Sequence, residues 1–353
     1  MRAAVLEAYG EPLAIESVAS PDAENHGAVI AVEACGICRS DWHAWQGHGE
    51  WADDKVPQGQ ILGHEPVGRI VATGDHVTVF EGGERVAIPF TLGCGVCGEC
   101  VTGHGNVCPD DRALGFESDA PGAFAERVHI PHAGYNLTEL GESVAPVDAA
   151  ALGCRYVTAF NALVRRADIE AGEWVAVFGC GGVGLSTIQI ASALGARVVA
   201  VDVDDATLDL ASEIGATETV NGAQTDDVPG AVTALTDGGA HVAMDALGRQ
   251  ETCRGAIDSL RRRGRHVQVG LTTDAERGEI ALPTDAIARG EIDFLGVRGL
   301  SPTGYDDVLR LVASGVLDPG RLVTREVGLD DVSERLAAMS EYETNGIEVV
   351  TEL

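Results

Sequence analysis

The stretch CGVCGECVTGHGNVC places Cys94, Cys97, Cys100 and Cys108 as C-x2-C-x2-C-x7-C in a glycine-rich segment. Four thiols this close suit a tetrahedral zinc site whose coordination is filled by protein; such an ion stabilises a loop and has no open position for chemistry. Iron–sulfur clusters also use four cysteines, but in runs of different spacing. A second segment, ACGICRSDWHAW, gathers two thiols, a guanidinium, a hydroxyl, a carboxylate and an imidazole into twelve residues. A third, FGCGGVG, sets Gly179, Gly181 and Gly184 in the G-x-G-x-x-G register.

The glycine register carries weight only between a strand and a helix. Here the apolar run EWVAVFG leads into it and the helical pattern VGLSTIQIASALG follows. Gly179 then permits the tight turn, Gly181 lets a pyrophosphate approach the backbone, and Gly184 lets helix and strand pack closely. The helix N-terminus faces the phosphates. About twenty residues on, VVAVD ends in Asp202, placed to accept hydrogen bonds from the adenosine ribose. With Asp204 and Asp205 it would set three carboxylates against a 2′-phosphate, so the sequence favours NAD over NADP.

The elements that must hold these segments change character near Ala150. Before it, short β-like runs (RAAVLEAYG, GAVIAVEACG, VGRIVATG, GERVAIPF) alternate with glycine-rich turns and predict an irregular, mostly β domain. After it, EWVAVFG, ARVVAVD, AHVAMDALG, RHVQVGL and IDFLGVRG read as buried parallel strands. Helical patterns, QETCRGAIDSLRRRG among them, lie between them, which predicts a doubly wound α/β sheet. From about Ser301 a helical YDDVLRLVASG and a strand GIEVVTEL are expected to return to the first domain.

Composition limits the partners. The chain of 353 residues has 55 acidic and 24 basic side chains, for a formal charge of −31, and Lys55 is its only lysine. Such a charge disfavours nucleic acid, which needs basic patches. At low salt it repels itself, whereas near 1 M salt the Debye length falls to about 3 Å. We therefore expect a salt-rich cytoplasm, with an acidic enzyme of ordinary salt habits as the plainer alternative. No apolar run approaches the roughly 18 residues of a membrane helix, and the N-terminus lacks the pattern of a signal peptide. Without export, nine cysteines do not read as a disulfide framework. Cys35, Cys180 and Cys253 read as core thiols.

Cys38 in CGIC, His64 and Glu65 in GHE, and Cys154 in LGC have no zinc-finger spacing, and spacing alone does not join them. What joins them is a resemblance. GICRSDWH, GHE, the four-cysteine loop, LGC followed by Thr158, and GCGGVG occur in an order and spacing that resemble the zinc-dependent medium-chain alcohol dehydrogenase family over essentially the whole chain. The acidic composition suggests a member of halophilic type. The resemblance implies a GroES-like, mostly β catalytic domain over residues 1–155 and 297–353, and a Rossmann domain over 156–296.

It also implies roles. Cys38, His64 and Cys154 would hold a catalytic zinc with its fourth position open, Glu65 would be a transient ligand, and Asp41 would orient His64. With the four-cysteine site this makes two zinc ions per subunit. Ser40 would take the alcohol proton and pass it through the ribose to His43. Arg39 would sit on the pyrophosphate, and Thr158 beside the nicotinamide. Gly182, Val183, Val269 and Leu271 complete the implied cofactor contacts. A plainer role for Ser40 is a helix cap, for His43 a solvated surface histidine, and for Arg39 a surface ion pair. Trp42, Trp45, Trp51 and Phe90 cluster near the metal segment, and Trp45 and Phe90 either line the substrate pocket or simply pack. The tryptophans favour an apolar substrate over a polyol or sugar. Arg155 departs from the small residue many family members carry after the third ligand. The implied activity is NAD-dependent oxidation of small alcohols or reduction of the matching carbonyls, in a homo-oligomer, with a tetramer favoured over a dimer.

Overall fold

The computed structural model describes residues 1–48, 55–142, 144–273 and 275–353. The chain divides into two compact units, Met1–Val157 with Gly299–Leu353, and Thr158–Arg298.

The first unit is built on the strand Ala28–Ile37, whose residues are almost all buried. Its valines and isoleucines suit a pleated, enclosed strand. It pairs antiparallel with Glu65–Thr73, with Gly36 opposite Glu65. The terminal strand Ile347–Glu352 joins its other edge antiparallel, setting Glu348 opposite Ile37. This register brings the chain just after Ile37 beside the chain just before Glu65, so Cys38 and His64 become neighbours. Directly after the strand comes the helix Arg39–Gln46, with Cys38 at its N-cap. The Cys38 N–H donates to the Asp41 carboxylate at 2.9 Å, which closes the first turn. The cap is therefore Cys38 and Asp41, not Ser40, which lies inside the first turn.

The second unit is a six-stranded parallel sheet. Its elements include β1 (Trp174–Phe178), α1 (Gly182–Ala193), β2 (Arg197–Asp202), β3 (Glu218–Asn221), β4 (Ala240–Asp245), α2 (Gln250–Asp258), β5 (Leu260–Gln268) and β6 (Asp293–Gly296). The strand order is β3-β2-β1-β4-β5-β6, with every pair parallel. The order reverses between β1 and β4, and open sheets bind ligands outside the carboxyl ends of their strands at such a point. β1 is wholly buried, as its continuous apolar run predicts.

Two expectations are overturned, and one strand is added. The arginine run after QETCRGAIDS is strand: α2 ends at Asp258 and β5 starts at Leu260. Pairing with β4 decides this segment, although its charges do not resemble a core strand. IDFLG forms an edge strand rather than a buried one, and Phe294 is 41% exposed. ETVN, too short and polar to stand out, supplies the outer strand β3.

Candidate functional site

Within the first unit, Cys38, His64, Glu65 and Cys154 bring one donor atom each to a common point, all within 4.8 Å of one another. Cys38 comes from the end of a strand, and His64 and Glu65 from the start of its partner. Cys154 comes from the irregular helical turn Leu152–Tyr156. His64 is buried, and its Nδ1 lies 2.8 Å from Asp41 Oδ1. A carboxylate accepts only, so Nδ1 carries a proton, and in the neutral imidazole Nε2 presents its lone pair. That Nε2 is buried and has no hydrogen-bond partner among the described residues. An orphaned imidazole lone pair facing two thiols is costly unless something accepts it, and a cation that accepts two sulfurs and one imidazole suits all three groups. Hydrogen bonding to Cys154, helped by His64 and Arg155 against burial, holds the Cys38 thiol well below its ordinary range. The same contact, together with burial, holds Cys154 above its own. The pair behaves as two sulfurs sharing a proton, which a metal would displace.

Asp41 does more than face His64. It is fully buried and accepts from the backbone of Cys38 and from Gly63 N–H at 3.1 Å. One carboxylate thus fixes the helix start, the loop before His64 and the imidazole itself. Phe90 meets the His64 ring edge-on at 5.9 Å, and Phe116 lies 4.9 Å away. Phe116 sits eight residues past Cys108, with nothing local in the sequence to mark it.

Arg155 turns towards Glu65. Its backbone N–H donates at 3.2 Å and its Nε at 3.1 Å to Glu65 Oε1, and Nη2 donates to Oε2. Both side chains are buried. Burial raises the Glu65 pKa, and the Arg155 charge partly offsets this. The sequence does not say what this arginine meets; in the fold it meets an acid.

The four-cysteine loop closes on itself in the same unit. Cys97 Sγ lies 3.6 Å from Cys108 Sγ, and Cys94 Sγ lies 4.0 Å from Cys100 Sγ. Tetrahedral zinc with Zn–S near 2.3 Å requires sulfurs about 3.8 Å apart. The Cys97 and Cys100 N–H groups donate to Cys94 and Cys97 Sγ, both at 3.4 Å. Backbone donation from Val96 and Cys97 lowers the Cys94 thiol to about 7, whereas burial pushes Cys108 up to about 12.

In the second unit the glycine turn follows β1. Gly179 has φ +91°, a conformation that side chains rarely adopt. A Cβ on Gly184 would meet Gly179 O at 1.9 Å, which accounts for close helix–strand packing. At Gly181 a Cβ would meet nothing, leaving an open approach to the backbone at the start of α1. Gly182 and Val183 form its first, half-buried turn. Asp202, at the end of β2, accepts from Cys180 N–H at 2.7 Å and Val203 N–H at 2.7 Å. Its carboxylate is thereby fixed beside the turn. Val269 is half-buried after β5, and Leu271 is 71% exposed.

Ser40 Oγ stands 3.9 Å from Cys38 Sγ, beside the donor cluster. His43 Nδ1 lies 3.0 Å from His48 Nδ1, and its ring meets Trp42. The Arg39 guanidinium stacks on Trp42 at 3.8 Å and donates to Met339 O. Thr158 is buried in the second unit. Trp45 packs: it is 5% exposed, lies in the core, and donates its N–H to Glu11 O at 2.6 Å. Trp51 lies outside the described residues.

Residues 182–314 match the family described as zinc-binding dehydrogenase, and residues 24–142 match the alcohol dehydrogenase GroES-like domain. An alcohol dehydrogenase of Geobacillus stearothermophilus is 32% identical over 98% of this chain and 97% of its own length. An NAD-dependent alcohol dehydrogenase of Sulfurisphaera tokodaii is 32% identical over 99% of each chain. The solved structure of an alcohol dehydrogenase from Thermus sp. ATN1 superposes with a TM-score of 0.90 at 29% identity, covering 100% of both chains.

Proposed function

The chain belongs to the zinc-binding, medium-chain alcohol dehydrogenase family, and from that premise we propose that it is a zinc-dependent alcohol dehydrogenase exchanging a hydride between NAD(H) and a small primary or secondary alcohol or its carbonyl counterpart. The observation that carries the reading is the orphaned, buried His64 Nε2 aimed at two thiols. Cys38, His64 and Cys154 would hold one zinc, and Cys94, Cys97, Cys100 and Cys108 a second. When bound, zinc at the first site supplies a Lewis acid towards an alcohol or carbonyl oxygen, and the nicotinamide supplies the hydride acceptor.

The chain's own residues do the rest. Asp41 keeps His64 in the tautomer that presents Nε2. Arg155 holds both oxygens of Glu65 and so would limit how far that carboxylate could turn towards a bound zinc. Ser40 receives the substrate proton and His43 passes it on to solvent. Phe90 and Phe116 border the metal ligands with apolar surface, which favours small alcohols over polyols. Gly181 and the start of α1 take the pyrophosphate, aided by Arg39, and Asp202 takes the adenosine ribose. The cofactor is NAD rather than NADP. Thr158, Val269 and Leu271 border the nicotinamide.

The formal charge of −31 marks a protein adapted to a salt-rich cytoplasm, and among the described residues no helix is long and apolar enough to cross a membrane. The working form is a homo-oligomer, a tetramer before a dimer. The test is zinc content per subunit, with alcohol-dependent NAD reduction assayed in dilute buffer and in molar salt on one preparation. Two zinc ions and salt-dependent NADH formation are expected. Zinc-replete protein that reduces no NAD with any small alcohol overturns the reading.

A further inference from the structure

In the second unit, the most heavily hydrogen-bonded carboxylate outside the sites above is Asp245, at the end of β4. It is fully buried, and among the described residues no cation pairs with it. Its Oδ1 accepts from Leu247 N–H at 3.0 Å, Gly248 N–H at 3.1 Å and the Thr252 hydroxyl at 2.9 Å. Its Oδ2 accepts from the Gln268 side-chain amide at 2.9 Å. The same Gln268 amide donates to Gly270 O at 2.9 Å. The Asp245 carbonyl accepts from Val269 N–H at 3.1 Å and Gly270 N–H at 2.9 Å. One residue therefore ties together the turn after β4, the first turn of α2 and the loop after β5.

The two loops touch backbone to backbone. A Cβ on Gly248, whose φ is +81°, would meet Leu271 O at 2.0 Å, and one on Gly270 would meet Gly248 N at 2.2 Å. The turn after β4 also abuts the glycine turn, since a Cβ on Gly179 would meet Leu247 Cγ at 2.6 Å. These loops stand at the carboxyl ends of β4 and β5, across the switch point from β2 and Asp202. A dinucleotide lying across that point puts its adenosine half over the β2 side and its other half over β4 and β5.

We infer that Asp245 is a positioning residue for the nicotinamide half of the cofactor: its buried carboxylate sets the shape of the 246–248 and 269–271 loops against which that half rests. The inference builds on the NAD reading proposed above. A buried charge is tolerated here because four donors converge on it. It suits a site that must stay rigid while a ligand binds and leaves, because losing any one donor leaves a buried carboxylate oxygen under-satisfied.

The test is Asp245→Asn in the full-length, zinc-loaded protein. Asparagine keeps the shape but turns one acceptor into a donor facing N–H groups. Binding of NADH, followed by fluorescence, and of ADP-ribose, followed by calorimetry, should separate. NADH affinity is expected to fall tenfold or more, with ADP-ribose affinity changed less than twofold and zinc content unchanged. Equal losses for both ligands, or no loss for either, overturn the inference. Thr252→Val removes a single donor and covers the case in which Asp245→Asn does not fold; it should show the same selectivity in smaller measure, and equal or absent losses overturn the inference there too. Wild-type protein that binds no NADH would overturn the cofactor reading itself, a result distinct from a wild type that binds while the variants keep its selectivity.

Discussion

Arg155 grips Glu65 at both carboxylate oxygens, across 90 residues of chain, from the position directly after Cys154. The glycines around the pair leave no slack. A Cβ on Gly36 would meet Glu65 Oε2 at 2.2 Å, and one on Gly153 would meet Glu65 Cβ at 2.5 Å. The turn that supplies a sulfur to the donor cluster thus also supplies the clamp on its neighbouring carboxylate.

Removing one partner of a buried pair strands the other charge, at a cost of about 3–5 kcal/mol, whereas removing both is far less harmful. Arg155→Met should therefore lower stability by about that amount. Adding Glu65→Gln to Arg155→Met should recover part of the loss. Chemical denaturation of the wild type, both single variants and the double variant in molar salt measures both. A double variant as unstable as the sum of the singles would mean that the two side chains do not act as a pair.

The two sulfur sites should fail differently. Cys97→Ser is expected to lose one zinc per subunit and to lower the unfolding midpoint, because this site ties a loop. Cys38→Ser is expected to lose alcohol-dependent NADH formation by at least a thousandfold while the four-cysteine zinc stays. Elemental analysis beside steady-state kinetics separates the two. Retained turnover in Cys38→Ser removes that residue from the active site.

What could be read from the chain followed from local pattern. The glycine turn after β1 and the acid ending β2 show themselves in a few residues, and the four cysteines announce a metal by spacing alone. Cys38, His64 and Cys154 are dispersed, and only the pairing of Ala28–Ile37 with Glu65–Thr73 brings the first two together. The partner of Arg155 could not be read, since nothing local says which of 55 acids a buried arginine reaches. Asp245 did have a signal: the apolar run AHVAM ends in this acid, with Gly248 three residues on, much as VVAVD ends in Asp202. Trp45 reads either way in the sequence, because an aromatic near a metal segment packs as readily as it lines a pocket.

His266 gives the stability a pH dependence. It is fully buried, and burial lowers its pKa despite a side-chain contact with Gln268 at 3.0 Å. In the unfolded chain it titrates near 6.5. Below that value the unfolded state binds more protons than the folded one, so stability falls as the pH drops from about 6.5 towards the lower folded pKa. Above about 6.5 this contribution is flat. The slope reaches at most about 1.4 kcal/mol per pH unit for one group. His266→Gln should shed this slope. Unfolding free energies at pH 7.5 and 5.5 are expected to differ less in the variant than in the wild type, by about 1 kcal/mol on that slope. An equal difference in both proteins would show that His266 titrates normally.

Asp202 should set the choice of cofactor. Its Oδ2 is fixed by Cys180 N–H, and its Oδ1 by the Val203 and Asp204 N–H groups at 2.7 and 3.2 Å. A carboxylate anchored by three backbone donors cannot turn away from an incoming ligand without leaving them unpaired. Against a ribose it accepts hydroxyls; against a 2′-phosphate it presents charge to charge, with Asp204 capping the next helix close by. Asp202→Ser keeps a short acceptor for the backbone and removes the charge. The ratio of kcat/KM for NAD over NADP is expected to fall at least tenfold, mostly through a better KM for NADP. The comparison belongs at a fixed, moderate salt concentration, because molar salt screens the repulsion being measured. An unchanged ratio would place the discrimination elsewhere, with Asp205 as the next carboxylate to remove.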